Sequence, residues 1–181
     1  GRASVSPGVA RYGTSQPIRP EEPDSTAGLA RTIHGPGRAR FHREKSGVSG
    51  RGLELFGSPA ALASVDIAVL LQYAAERAGM AVGIRRMPVD GYWSQYWMKT
   101  PMSFGNTNAR PSTDMTFALS FGSRAPLNES RWRDPRFDAL LLQARGERDE
   151  GVRRRIYHDI QAMIRAGSGV CITPLPTRHD A

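Results

Sequence analysis

Cysteine is all but missing from this chain. Cys171 stands alone, which excludes an intrachain disulfide and any site built from several thiolates. It lies in the apolar run Val170-Cys171-Ile172 and reads as a small buried strand residue rather than a nucleophile. The four histidines, His34, His42, His158 and His179, lack metal-ligand spacing, and His158, between Tyr157 and Asp159, reads as a surface residue. No run approaches the roughly eighteen apolar residues of a membrane span, and no basic, apolar leader opens the sequence as it stands. Paired carboxylates, a Ser/His/Asp set and a phosphate loop are lacking too, so nothing points to an enzyme, a cofactor or a metal.

Lysine is the other scarcity. Of the 25 basic residues only Lys45 and Lys99 are lysines, and against 17 acidic residues they give a formal charge of +8. Arg2, Arg11, Arg19, Arg31, Arg38, Arg40, Arg43 and Arg51 fall in a stretch poor in apolar residues. A basic tail of this kind binds nucleic acid or an anionic membrane surface by counterion release. No aromatic residues interleave these arginines in a binding pattern, which favours a solvated tail and argues against nucleic acid.

What is present suits one domain with a genuine core: 181 residues, 39% of them hydrophobic. From residue 1 to about 37 turn signals such as Pro7-Gly8 and Gly35-Pro36-Gly37 break any period, predicting an irregular or disordered segment. A short helix is expected near Ala39 to Ser46 and a strand at Gly52 to Phe56. The spacing of Leu62, Val65, Val69, Leu70 and Tyr73 predicts a helix over Pro59 to Ala78 with an apolar face, capped by Ser58 and ended by Gly79. Met80 to Met87 alternates as a strand does. Helix and strand together make one α/β unit.

Asp90 is placed to cap a short helix, Gly91 to Met98, which carries Tyr92, Trp93, Tyr96 and Trp97. Four aromatics so close together serve either as packing against a sheet or as a stacking surface for a ligand. A polar loop follows, Phe104 to Pro111, then a helix from Ser112 and Asp114 to about Leu119. Polar loops after strands are where α/β proteins put ligands. Pro135 to Arg145 presents Phe137, Leu140, Leu141 and Ala144 on one helical face. Val152, Ile156, Ile160, Met163 and Ile164 mark another, ended by Gly167 and Gly169. Arg148, Glu150, Arg153, Arg154 and Arg155 read as the solvated face, and Val170 to Thr173 as a final strand stopped by Pro174.

Several of these segments occur in an order that resembles one family. They are Arg40-Phe41-His42, Ser46-Gly47-Val48, the helix from Val65 through Ala78-Gly79-Met80, and Pro88-Val89-Asp90-Gly91-Tyr92-Trp93. Arg110-Pro111, Ala125 to Trp132, Asp134-Pro135-Arg136-Phe137-Asp138 and the stretch from Arg154 to Gly169 continue it. The chain resembles the C-terminal lobe of bacterial extracellular solute-binding proteins of family 5, the peptide and nickel class, over about residues 38 to 175.

The resemblance implies an α/β fold, one lobe of a two-lobed periplasmic-binding-protein-like (type II) architecture. Residues 1–37 would be an irregular segment, 38–176 the lobe and 177–181 a tail. It implies the substrate-binding component of a peptide-type ABC importer, which captures a small solute or peptide in the periplasm or outside the cell and hands it to a permease. It further implies a ligand enclosed with an N-terminal lobe that this chain lacks, as in a truncated protein. The candidate ligand-binding residues are Trp93, Asn106, Thr107, Asn108, Arg110, Asn128 and Trp132. Arg110 would offer a bidentate contact to a carboxylate or phosphate, or else pin its loop, while the asparagines offer neutral hydrogen bonds. Trp132 is expected to pack at the lobe edge. The loop before Arg110 departs from the family, with polar Gly105-Asn106-Thr107-Asn108-Ala109 where relatives carry aromatics and glycines, and residues 21–37 depart as well. A non-functional fragment and a basic nucleic-acid-associated protein are the competing readings.

Overall fold

The computed structural model describes residues 17–18, 23–25, 35–47, 52–106 and 110–172. These divide at 108/109 into two units, the second of which also includes the described residues before 32.

In the first unit, Pro36 in the opening turn starts helix α1 (Pro36–Ser46), and Gly47 ends it in a left-handed conformation. Strand β1 (Leu53–Gly57), helix α2 (Ser64–Arg77) and strand β2 (Val82–Arg86) follow. The two strands run parallel, in register from Leu53 opposite Val82 to Gly57 opposite Arg86, with α2 as their crossover. This is the expected α/β unit.

Helix α2 starts later than the spacing predicts. Ser58 does not cap it: its hydroxyl donates to the Pro88 carbonyl and accepts from the Ala60 amide, so its hydrogen-bonding capacity is used locally. Residues 59–63 therefore run as turns, and Ala63, at φ 56°, holds a left-handed conformation that no helix interior accepts. The far end closes as expected in a Schellman motif. The Gly79 amide donates to Glu76 O and the Met80 amide to Ala75 O, and Gly79, at φ 76°, takes the left-handed position. Arg40 and Arg43 of α1 add side-chain donors to the carbonyls of Arg77 and Gly79.

The apolar face expected on α2 is not the buried one. Ser64, Ala68 and Ala75 face inward, and these small residues let the helix lie close to the strands. Leu62, Val69, Leu70 and Tyr73 are exposed. Beyond β2, Tyr92–Tyr96 form a π-helical turn rather than the expected α-helix; Gly91 opens it with a left-handed conformation, and Asp90 provides no cap.

The second unit is helical. Helix α3 (Thr113–Ser120) is capped by Ser112 Oγ accepting from the Met115 amide. Helix α4 (Pro135–Gly146) is capped by Asp134 and α5 (Glu150–Gly167) by Asp149. Phe117, Phe137, Leu141, Ile156, Ile160 and Ile164 form its core, joined by Ile18, and the expected faces of α4 and α5 are the buried ones. Tyr157 and Gln161 are buried with them, and Gln161 Nε2 donates to the Asp24 carbonyl at 3.0 Å. Residues 170–172 are not a strand: no described strand pairs with them, and the Val170 amide bonds to Ser168 Oγ instead. Cys171 is accordingly exposed, not buried. Thr173 lies outside the described residues.

Candidate functional site

Both strands of the parallel pair deliver their carboxyl ends to one place, the position where open α/β sheets hold ligands. After β1 the chain turns through Ser58. The Ser58 amide donates to Ser64 Oγ at 3.0 Å and Ser64 Oγ donates back to the Ser58 carbonyl at 2.6 Å. Both residues are buried, so this reciprocal pair satisfies backbone groups that would otherwise lose their solvation. Together with the Ser58 bond to Pro88 O, it ties the loop after β1 to the loop after β2.

The π-helical turn is built on Tyr92. Its ring is fully buried, and its phenol donates to Phe104 O at 2.8 Å and lies 3.2 Å from Phe56 O. The Phe104 amide donates to the same phenol at 3.1 Å. Residues 102–104 are thereby laid beside β1, where the Phe56 amide donates to Met102 O at 2.9 Å and Phe56 bridges Ser103. One tyrosine therefore fixes where the polar loop begins.

Around it, Tyr96 stacks between Tyr92 and Phe56 at 6.4 and 6.5 Å, and Trp93 meets Tyr92 and Trp97 edge-on at 5.2 and 5.6 Å. Packing and display are divided within this cluster. Tyr92 is core, whereas Trp93 remains 39% exposed and keeps part of its surface open to solvent. The Trp97 indole N–H is shielded from solvent and has no acceptor among the described residues. Such π-turns are uncommon in proteins and are frequent at functional sites.

The remaining candidates separate by position. Asn106 is exposed two residues beyond Phe104, in the first unit, while Thr107 and Asn108 lie outside the described residues. Arg110 is half-buried in the second unit. Asn128 is 5% exposed, and its side-chain amide donates to Gly122 O at 3.0 Å and Trp132 O at 2.7 Å. Its side chain holds a loop together, and the structure brings it to Trp132. The Trp132 ring in turn packs edge-on against Phe137 at 5.1 Å, as expected of rim packing.

Two side chains of the second unit are shifted in their ionisation. Burial, helped by Asp114 and Asp24, pushes the Tyr157 phenol up, and the hydrogen bonds that Arg145 donates to the Asp114 carboxylate raise its guanidinium. Among the described residues no group of three or more His, Cys, Asp or Glu side chains is placed to hold a metal ion. Among them, too, no helix is long and apolar enough to cross a membrane. The arrangement at the sheet end offers stacking and neutral hydrogen bonding. Tyr92 lies in the segment Pro88 to Trp93 and in the aromatic cluster, whereas no motif marks Ser58 and Ser64 as the pair that ties the loops.

No family model matches the chain, and no curated protein does. Solved structures do. The ABC transporter-associated periplasmic binding protein DppA from Helicobacter pylori, in complex with a peptide STSA, aligns with TM-score 0.76 and 18% identity, over 87% of this chain and 32% of that one. The ABC transporter substrate-binding protein CtaP from Listeria monocytogenes aligns with TM-score 0.75 and 18% identity, over 83% and 32%. NikA from Staphylococcus aureus, in complex with Ni(L-His)2, aligns with TM-score 0.69 and 18% identity, over 83% and 33%. The fold is that of part of an ABC-transporter substrate-binding protein, and this chain spans about a third of the length of those solved chains.

Proposed function

We propose that this chain is a solute-binding lobe of a peptide-type ABC import system. It would hold a small solute or short peptide outside the cytoplasmic membrane for a permease and release it unchanged. The supporting observation is the shared fold with DppA, CtaP and NikA, together with a Trp93 ring left partly open to solvent on the turn that follows β2. Residues 38–176 are the lobe in this reading. Trp93 supplies a stacking surface, Asn106, Thr107 and Asn108 supply hydrogen bonds, and Arg110 supplies the charged donor for a carboxylate. Asn128 and Trp132 contribute by shaping their loop.

A single lobe contacts a ligand from one side and cannot exclude water by closure. Affinity for the chain alone is therefore set at about the millimolar level, about 4 kcal/mol of binding free energy. Titration with the peptide Ser-Thr-Ser-Ala and, separately, with nickel-histidine, followed by tryptophan fluorescence and calorimetry, tests this. Weak saturable binding that Trp93→Ala and Arg110→Ala each abolish is expected. Absence of binding at about 10 mM, or binding unchanged by both substitutions, overturns the reading.

The nucleic-acid alternative is weakened by what two of its arginines do. Arg40 and Arg43 donate to the carbonyls that end α2. A salt titration against arbitrary DNA separates the readings, since counterion release predicts a steep loss of affinity with salt.

A further inference from the structure

The outer face of α2 is apolar in its middle and charged at its ends. Val69, Leu70 and Tyr73 are 53%, 69% and 63% exposed, although they sit on a well-formed helix whose opposite face is buried. Asp66 precedes them and Arg77 follows them, both exposed. The spacing 66, 69/70, 73, 77 puts all five on one stripe. Isolated exposed apolar residues are ordinary, but a contiguous stripe of them flanked by charge marks an interaction surface.

The order of charges selects the partner, because the stripe complements itself. When two copies of α2 pair antiparallel about a two-fold axis, the register that sets Leu70 against the second copy's Tyr73 also sets Asp66 against the second copy's Arg77. Symmetry repeats that ion pair at the other end. Parallel pairing would oppose like charges instead. Both charges are also held where they stand. Asp66 lies in the first turn and Arg77 in the last, each favoured by the helix dipole, and the Arg77 guanidinium lies 5.9 Å from the Tyr73 ring centroid. Asp66 makes no ion pair with any described residue.

We propose that this face is a self-association surface. Two copies of the chain pair α2 to α2, Leu70 of each against Tyr73 of the other, closed at both ends by Asp66–Arg77 ion pairs. The patch is small, so the dimer is weak and salt-sensitive.

Sedimentation of the full chain from about 10 to about 500 µM at low salt tests this, with circular dichroism confirming that each variant keeps the parent's helix content. The weight-average mass should climb towards twice that of one chain. Asp66→Arg and Arg77→Asp, each of which turns both ion pairs into repulsions, should weaken association by at least about tenfold. An equimolar mixture of these two variants opposes unlike charges again and should recover the parent's association, as should the double swap. Should Asp66→Arg lose helix, Asp66→Asn deletes the pair with a smaller loss. A parent that stays monomeric throughout, singles that associate like the parent, or a mixture that fails to recover overturns the proposal.

Discussion

The Tyr92 phenol and the Phe104 backbone hold each other twice, the hydroxyl donating to the Phe104 carbonyl at 2.8 Å while accepting from its amide at 3.1 Å. A residue on the turn after β2 thus sets the start of the polar loop beside β1. Tyr92→Phe removes the hydroxyl without changing the ring and leaves part-buried backbone groups of Phe104 and Phe56 with fewer partners, at a cost of about 1–3 kcal/mol. Urea denaturation should show a lower midpoint, and amide exchange should quicken at residues 103–106. An unchanged midpoint would mean that the ring alone holds the segment.

Asn128 makes the matching contribution in the second unit. Its side-chain amide spans the carbonyls of Gly122 and Trp132. In Asn128→Asp those donors become carboxylate oxygens facing two carbonyls in a buried place, which costs about 2 kcal/mol or more at neutral pH. The loss should shrink on acidification as the carboxyl regains a proton. Denaturation midpoints at two pH values measure it, and a loss that grows towards acid contradicts the geometry.

Much of the architecture was legible because periodicity reports burial where one helix face meets a core. The faces of α4 and α5 were readable in this way from Phe137, Leu141, Ile156, Ile160 and Ile164. On α2 the same reasoning selected the outer face, because the buried side is made of Ser64, Ala68 and Ala75, which carry almost no hydrophobic signal. Close approach to a sheet needs small residues, and small residues are silent in a hydrophobic pattern. The strand expected around Cys171 failed for a different reason: an apolar run needs a pairing partner, and sequence alone does not supply one. At the site, the aromatic cluster was legible but its division into the buried Tyr92 and the exposed Trp93 was not, since a π-turn shifts every later side chain from its α-helical bearing.

Gly91 opens that turn at φ 79°, and a Cβ there would lie 2.9 Å from Gln95 Nε2. The Gln95 side chain is exposed and can swing away, so the left-handed backbone is the larger obstacle. Gly91→Ala should cost about 1–2 kcal/mol. Adding Gln95→Ala should recover little of it. Near-complete recovery in the double variant would instead assign the cost to the side-chain clash.

Tyr157 gives the fold a defined response to alkali. Its ring is buried among the helices, and burial, then Asp114 and Asp24, raise its phenol above the ordinary value of 10.0, outweighing the opposing pull of Arg153 and Arg145. In the unfolded chain the phenol loses its proton near that ordinary value, while in the folded protein it keeps it. Above about pH 10 the unfolded state therefore binds fewer protons, and stability falls as pH rises. The contribution is intact below that range and is lost progressively towards the folded-state pKa, with a slope no steeper than about 1.4 kcal/mol per pH unit for one group. Tyr157→Phe removes the titration. The stability difference between parent and variant should be constant from about pH 7 to 9 and then move in the variant's favour above about pH 10. A difference that stays flat through about pH 11 would show that the phenol ionises alike in both states, and that burial does not govern it.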